Sequence, residues 1–281
     1  MSTKPSPKSY QPVIEDMRRA STRRGRDVLG AFAVEGRRLV ERGVRAGWVP
    51  RDLLVASGER RQGDVESLLE RVAALGGRCH EVPDSELLEL SEGRRSGLLS
   101  ALFPLPEPLA PSRLWGPAPG VYLVLVDVVE PGNVGALIRT ALASGASGAI
   151  CVGASDPFHS KAVRTSLGSL FKLPLAHVAS SDVLLGALRE RRVHSLATVA
   201  RGGEPLDRAA WPSGDLALLV GNEGAGLPER LRDGADQRVT IELSSEADSF
   251  CVNAAAAVCL YEVQRRRRFA LDFERGPGQT G

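Results

Sequence analysis

The stretch VYLVLVDVVEPGNVGALIRTALASG, residues 121–145, decides the fold of this chain. Residues 121–126 are apolar without alternation, which predicts a strand buried on both faces. Pro131-Gly132 marks a turn, and Asn133 stands at a helix start, where its side chain can cap free backbone amides. Val134, Leu137, Ile138, Ala141 and Leu142 recur at helical spacing and predict a buried stripe, with Arg139 off it. A buried strand, a glycine turn and a helix make the unit of a parallel α/β sheet. Polar residues at such junctions lie where open α/β sheets bind their ligands.

The same alternation runs toward the C-terminus. Helices are predicted over 133–144, 161–167, 182–191 and 227–233, and strands over 149–152, 173–178, 195–199, 216–220 and 238–241. A final long helix carries Ala255, Val258, Cys259 and Val263 on one face and ends in Arg265–Arg268. Cations at a helix C-terminus are favoured by its dipole, so this basic run has a structural reading as well as an RNA-binding one. Apolar strands separated by helices predict a mostly parallel sheet covered on both faces.

Toward the N-terminus, six prolines between residues 104 and 119 predict an extended connector. Before it, residues 30–103 read as a small α/β module. Its strands are predicted near 32–36, 52–56, 78–82 and 97–102, with helices through Val40 and Val44, over 65–75 and over 86–90. Residues 1–29 hold Lys4, Lys8, Arg18, Arg19, Arg23, Arg24 and Arg26 against Glu15, Asp16 and Asp27, the pattern of a basic flexible arm that can meet phosphates. The division is then 1–29 arm, 30–103 substrate-binding module, 104–120 linker, 121–268 second α/β domain and 269–281 tail.

Composition narrows the functional classes. The net charge is only +2, yet all but four of the 36 basic residues are Arg, suited to bidentate phosphate contacts and base stacking. Codon bias in a GC-rich genome explains that skew equally well. The cysteines (Cys79, Cys151, Cys251, Cys259) are widely spaced and form no CxxC pair, and the four His form no HExxH motif, so no metal is expected. No run reaches the ~20 apolar residues of a membrane span, and the N-terminus lacks an apolar signal core, so a cytoplasmic protein is expected.

Two further junctions carry chemistry. The strand at 216–220 runs into Gly221-Asn222-Glu223-Gly224-Ala225-Gly226, where glycines let a backbone approach a ligand closely. The loop lacks both the GxGxxG dinucleotide fingerprint and the Gly-Lys-Ser/Thr of a phosphate loop, so nothing in it requires a phosphate. The third junction leads from Ile241 through a polar loop to Ser249-Phe250-Cys251-Val252-Asn253 and an Ala-rich helix; plain capping by Asp248 or Ser249 is the bland alternative there.

Together the three segments resemble the signature motifs of the SpoU (TrmH) family of RNA ribose methyltransferases, in the SPOUT superfamily. N-x-G-x-x-x-R-x-A-x-x-x-G is matched at Asn133, Gly135, Arg139, Ala141 and Gly145, and G-x-E-x-x-G-L at Gly221, Glu223, Gly226 and Leu227. The family usually reads S-L-N-V-S at the third motif. This chain keeps Ser249, but has Cys251 where Asn is expected and Asn253 at the last Ser. On a helix, positions 251 and 253 point about 200° apart, so Asn253 is not expected to replace the missing amide. Arg164, Ser166, Gly168 and Phe171 also match family sequence, and the module opening at AFAVEG (31–36) resembles the substrate-binding domain that often precedes the catalytic one.

The resemblance implies methyl transfer from S-adenosylmethionine to a ribose 2′-hydroxyl in structured RNA, ribosomal or transfer. It implies Arg139, Asn133, Glu223 and Ser249 as catalytic residues, with Arg139 as an electrostatic clamp on phosphate and developing alkoxide. Leu219, Gly221, Asn222, Ile241, Phe250, Cys251 and Val252 would hold the cofactor, and Arg37, Arg164 and Ser166 would contact RNA. A trefoil-knotted C-terminal domain and a homodimer with a shared active site are implied as well. The altered third motif leaves open a catalytically impaired RNA-binding protein that keeps the cofactor fold.

Overall fold

The computed structural model describes residues 10–60 and 62–275, so Lys4, Lys8 and residues 276–281 of the expected tail lie outside the described residues. The chain divides into two compact units: described residues up to Glu107 with Phe158–Lys172, and Pro108–Pro157 with residues from Leu173 onward.

The first unit begins with α1 (Gln11–Arg19) and α2 (Arg23–Leu29). Then come β1 (Ala31–Glu35), α3 (Arg37–Arg45), β2 (Asp52–Ala56), α4 (Gly63–Ala74), β3 (Arg78–Val82), α5 (Asp84–Leu90) and β4 (Leu99–Pro104). Its sheet has the order β1-β4-β2-β3, with β2 and β3 parallel and the other pairs antiparallel.

From Gln11 onward the expected flexible arm is instead two packed helices. Val13, Ile14 and Met17 are buried, and the Tyr10 hydroxyl donates to Glu86 Oε1 at 2.9 Å. Arg26 is 2% exposed and donates through Nη1 to the carbonyls of Ala20 (3.1 Å) and Ser21 (3.4 Å), oxygens just past the end of α1. Charge count hid an amphipathic spacing whose apolar side is only three residues wide.

Asp52 is the buried carboxylate among the described residues of this unit. Its carboxylate accepts from Arg51 Nε (2.9 Å), Arg78 Nε (2.8 Å) and Nη2 (2.9 Å), and lies 3.0 Å from His80 Nε2. Burial alone would raise its pKa, but the hydrogen bonds from His80, Arg78 and Arg51 outweigh that and hold it well below the usual carboxylate range. A depressed folded-state pKa stabilises the fold above the unfolded value, and this contribution is lost as pH falls through the window below about 4. Asp52→Asn is therefore expected to cost roughly 1–3 kcal/mol at neutral pH. It should also flatten the acid limb of a Tm-against-pH curve; an unchanged limb would remove Asp52 from this role.

The second unit starts with β5 (Val121–Val126), α6 (Pro131–Ala143) and β6 (Gly148–Val152). The chain then enters α7 (Ser160–Thr165), which belongs to the first unit, and returns. β7 (Leu175–Val178), α8 (Ser181–Arg191), β8 (His194–Thr198), β9 (Glu204–Pro205), β10 (Leu216–Val220), α9 (Glu229–Gly234), β11 (Gln237–Thr240) and α10 (Val252–Arg275) follow. All strand pairs of the resulting sheet are parallel, in the order β7-β6-β5-β10-β8-β11-β9. The α/β class with a parallel sheet is thus as expected from the apolar strands.

Aromatic packing explains why residues 158–172 join the first unit. Phe158 and Phe171 meet Phe32 at 5.0 and 6.3 Å, Phe171 meets Phe103 at 5.2 Å, and Trp48 Nε1 donates to the Phe171 carbonyl at 3.0 Å. The proline stretch is likewise not all connector. Leu114 is buried, Trp115 packs edge-on against Tyr122 at 4.6 Å, and Leu109 bridges to Ala176.

The face of α10 is rotated from the expected one: Ala256, Cys259, Leu260 and Val263 are buried, whereas Val258 is exposed. The basic run lies inside α10, which continues to Arg275, rather than at its end, and its cations take structural partners. Arg265 and Arg266 both bond Glu262, Arg266 also bonds the Asp207 carbonyl, and Arg267 donates to the carbonyls of Pro119 and Gly214.

Candidate active site

In the order of the second sheet, β10 lies between β5 and β8, and the cleft forms where the C-terminal ends of β8, β10 and β11 open. Its volume is about 620 Å³, within the ~300–1,000 Å³ common for small-ligand pockets. The ends of β8 and β10 contribute Thr198 to Arg201 and Val220 to Leu227, β11 and its exit contribute Val239, Ile241 and Leu243, and the entry to α10 contributes Ser249, Phe250 and Val252.

The glycine loop is shaped by its own side chain. Asn222 and Gly226 pair through their backbones (3.1 and 2.9 Å), and Asn222 Oδ1 accepts from the amides of Gly224 and Ala225, both at 2.9 Å. Asn222 Nδ2 donates to the Asp127 carbonyl at 3.0 Å, tying the loop to the end of β5. A Cβ on Gly221 would stand 2.3–2.5 Å from backbone atoms of Gly226 and Leu227, so only glycine closes this turn.

Of the expected cofactor residues, Gly221, Asn222, Ile241, Phe250 and Val252 line the cleft. Leu219 and Cys251 do not line it: Leu219 is fully buried and gives its carbonyl to Thr198 Oγ1 at 2.8 Å, and Cys251 is exposed. Thr198, Arg201, Arg232, Asp233, Arg238 and Leu243 line the cleft but were not expected. Arg201-Gly202-Gly203, directly after a strand, was the available signal for one of these loops. Cys259 also lines the cleft, but burial pushes its thiol up to about 12, so it stays protonated and is no nucleophile.

The expected catalytic residues separate into two groups. Glu223 and Ser249 line the cleft. Asn133 stands behind Glu223, donating from Nδ2 to Glu223 Oε1 at 2.7 Å, and Asn253 Nδ2 donates in turn to Asn133 Oδ1 at 2.8 Å. Helical angles do not relate Cys251 to Asn253, because α10 begins only at Val252.

Arg139 does not line the cleft. It is exposed on α6 and has no hydrogen bond or ion pair among the described residues. Six residues beyond Asn133, it points about 240° around the helix and lies about 9 Å further along it. The expected meeting of Arg139 with Gly221, Ile241 and Phe250 is therefore not made within one chain.

In the first unit, the residues expected at RNA hold internal partners. Ser166 is fully buried and donates to the Val163 carbonyl at 2.8 Å while accepting from Gly168 N at 3.3 Å. Arg164 lies 3.7 Å from Glu35, and Arg37 pairs with Asp64 and, at 3.8 Å, with Glu41. Ser166 in this state shapes the turn after α7.

The model of the SpoU rRNA Methylase family matches residues 120–261, half of the chain. The chain belongs to the SpoU rRNA methylase family. An MRM3-like substrate binding domain matches residues 11–99, which include the two N-terminal helices.

Two curated SpoU relatives are similar over most of their length. One is the 23S rRNA (guanosine(2553)-2′-O)-methyltransferase RlmP of Bacillus subtilis, 28% identical over 89% of this chain and 95% of that protein. Another is the 23S rRNA (uridine(2479)-2′-O)-methyltransferase of Streptomyces viridochromogenes, 31% identical over 85% of this chain and 84% of that protein. Among solved structures, the SpoU methyltransferase AviRb from Streptomyces viridochromogenes, in complex with AdoMet, superposes with a TM-score of 0.84 at 28% identity, covering 91% of this chain and 98% of that one. An AdoMet-bound rRNA methyltransferase from Sinorhizobium meliloti superposes with a TM-score of 0.82 at 29% identity, covering 93% and 97%.

Proposed function

We propose that this protein transfers a methyl group from S-adenosylmethionine to a ribose 2′-hydroxyl of ribosomal RNA in the cytoplasm. The observation that carries the reading is the single cleft in which the second and third motifs meet, in a chain whose relatives are named as 23S rRNA 2′-O-methyltransferases. In keeping with it, no described helix is long and apolar enough to cross a membrane.

The donor set suits this cofactor. Leu227, Ile241, Leu243, Phe250 and Val252 offer apolar walls for an adenosyl group, and the strand ends offer backbone amides and carbonyls for its ring nitrogens. When bound, S-adenosylmethionine supplies an electrophilic methyl on a sulfonium. The protein's own task is to place the ribose oxygen and stabilise the charge that develops on it.

No side chain of the cleft is a strong base for a hydroxyl. The Arg139 guanidinium acts as a clamp on the substrate phosphate and on the developing alkoxide, whose proton passes to solvent as the oxygen takes the methyl group. Because Arg139 is exposed, without a partner among the described residues and outside its own chain's cleft, we assign it to the cleft of a second copy in a homodimer. There Glu223 serves as its counter-charge. The knotted path of the C-terminal unit, implied by the family resemblance, belongs to the same proposal.

The test is tritiated methyl transfer from S-adenosylmethionine to purified ribosomal and transfer RNA, followed by alkaline hydrolysis. Label in alkali-resistant dinucleotides from ribosomal RNA is expected, since a 2′-O-methyl group blocks cleavage of the adjacent phosphodiester. Cofactor binding without transfer to either RNA would favour the impaired RNA-binding protein.

A further inference from the structure

The hydrogen bonds behind the cleft have a fixed direction. Glu223 at the cleft wall is a carboxylate and can only accept, so Asn133 must turn its NH2 toward it. That leaves Asn133 Oδ1 facing Asn253, which must therefore present its own NH2. The orientation of both amides follows from the charge on Glu223, and neither can flip alone without setting two acceptors against each other. The remaining atom, Asn253 Oδ1, is buried without a hydrogen-bond partner among the described residues. A buried orphan acceptor is costly, and here it is the consequence of committing the NH2 to Asn133.

We propose that Asn253 is a positioning residue for methyl transfer. It supplies the donor that orients Asn133, and through Asn133 it holds the Glu223 carboxylate on the cleft wall. The chain joins three elements that are distant in sequence: the glycine loop after β10, the first turn of α6 and the first turn of α10. The third motif thus carries its amide at 253, and Cys251 lies outside the cleft lining. The inference rests on the function proposed above, and its test separates the two.

Asn253→Asp is nearly isosteric but cannot donate, so it opposes an acceptor to Asn133 Oδ1. It is expected to lower kcat roughly ten- to a hundredfold while leaving the Kd for S-adenosylmethionine within about threefold, because Asn253 does not line the cleft. Asn253→Ser keeps a donor and should retain more turnover than Asn253→Asp.

The double variant Asn253→Asp/Glu223→Gln reverses every donor and acceptor: Gln donates to Asn133, whose NH2 then donates to the new carboxylate. Its Tm should exceed that of Asn253→Asp alone. Wild-type turnover in Asn253→Asp, equal loss of turnover and cofactor affinity, or simple addition of the two stability losses would each overturn the inference. If the wild type transfers no methyl to any RNA, the functional reading fails, while the double-variant Tm still decides whether the chain is directional.

Discussion

Gly221→Ala is expected to abolish measurable binding of S-adenosylmethionine while leaving the protein folded. The added Cβ would stand 2.3 Å from the Gly226 carbonyl carbon and 2.4 Å from the Leu227 nitrogen, both backbone atoms that cannot swing aside as a side chain can. The turn must open. Opening it breaks the Asn222–Gly226 pair and the two amide bonds to Asn222 Oδ1, which together shape the cleft wall. Loss of these four hydrogen bonds at roughly 1 kcal/mol each corresponds to a Kd weakened by a factor on the order of 1,000. Isothermal titration measures it directly, with far-UV circular dichroism as the check on folding. A variant that binds as the wild type does would show that the loop is not part of the cofactor site.

Arg139→Ala carries the second large effect. The side chain is exposed and has no partner among the described residues, so its removal should leave Tm and cofactor affinity unchanged. Transfer should fall by roughly a thousandfold, the scale of losing a charge aimed at a developing oxyanion. If Arg139 serves the cleft of a second copy, the two inactive variants complement each other. A mixed dimer of Arg139→Ala and Gly221→Ala subunits holds one intact cleft facing one intact arginine. Co-refolding equal amounts should restore about a quarter of wild-type activity, because half the dimers are mixed and each has one working site. No recovery on mixing would place Arg139 in its own chain's site, and an Arg139→Ala variant as active as the wild type would place it outside catalysis.

These experiments bear on residues that were unequally readable before the structure. Gly221, Glu223, Ile241, Ser249 and Phe250 stood out because a strand end followed by glycine or a polar loop is a local pattern, and the structure gathers all five at one cleft. Thr198 and Arg238 were invisible because they reach the cleft through the order of strands in the sheet, which local pattern does not encode. The basic N-terminal segment was misread for a related reason. Arg26 is buried because its guanidinium caps carbonyls at the end of α1, a contact between two helices that a charge count cannot reveal. Ser166 matched family sequence, but its hydroxyl is spent on the turn that follows α7.

What the amino-acid sequence determined alone was the parallel α/β class, the approximate place of nearly every strand and the three junctions that carry chemistry. Each is set by apolar runs and glycine turns within about ten residues of one another, where burial and backbone freedom act locally. Only the tertiary structure decided that residues 158–172 pack with the N-terminal unit, that Arg139 does not line its own chain's cleft, and that Asn253 reaches Asn133 from 120 residues away. Those outcomes depend on which strand lies beside which and on the direction of single hydrogen bonds, quantities that exist only once the sheet has closed its order.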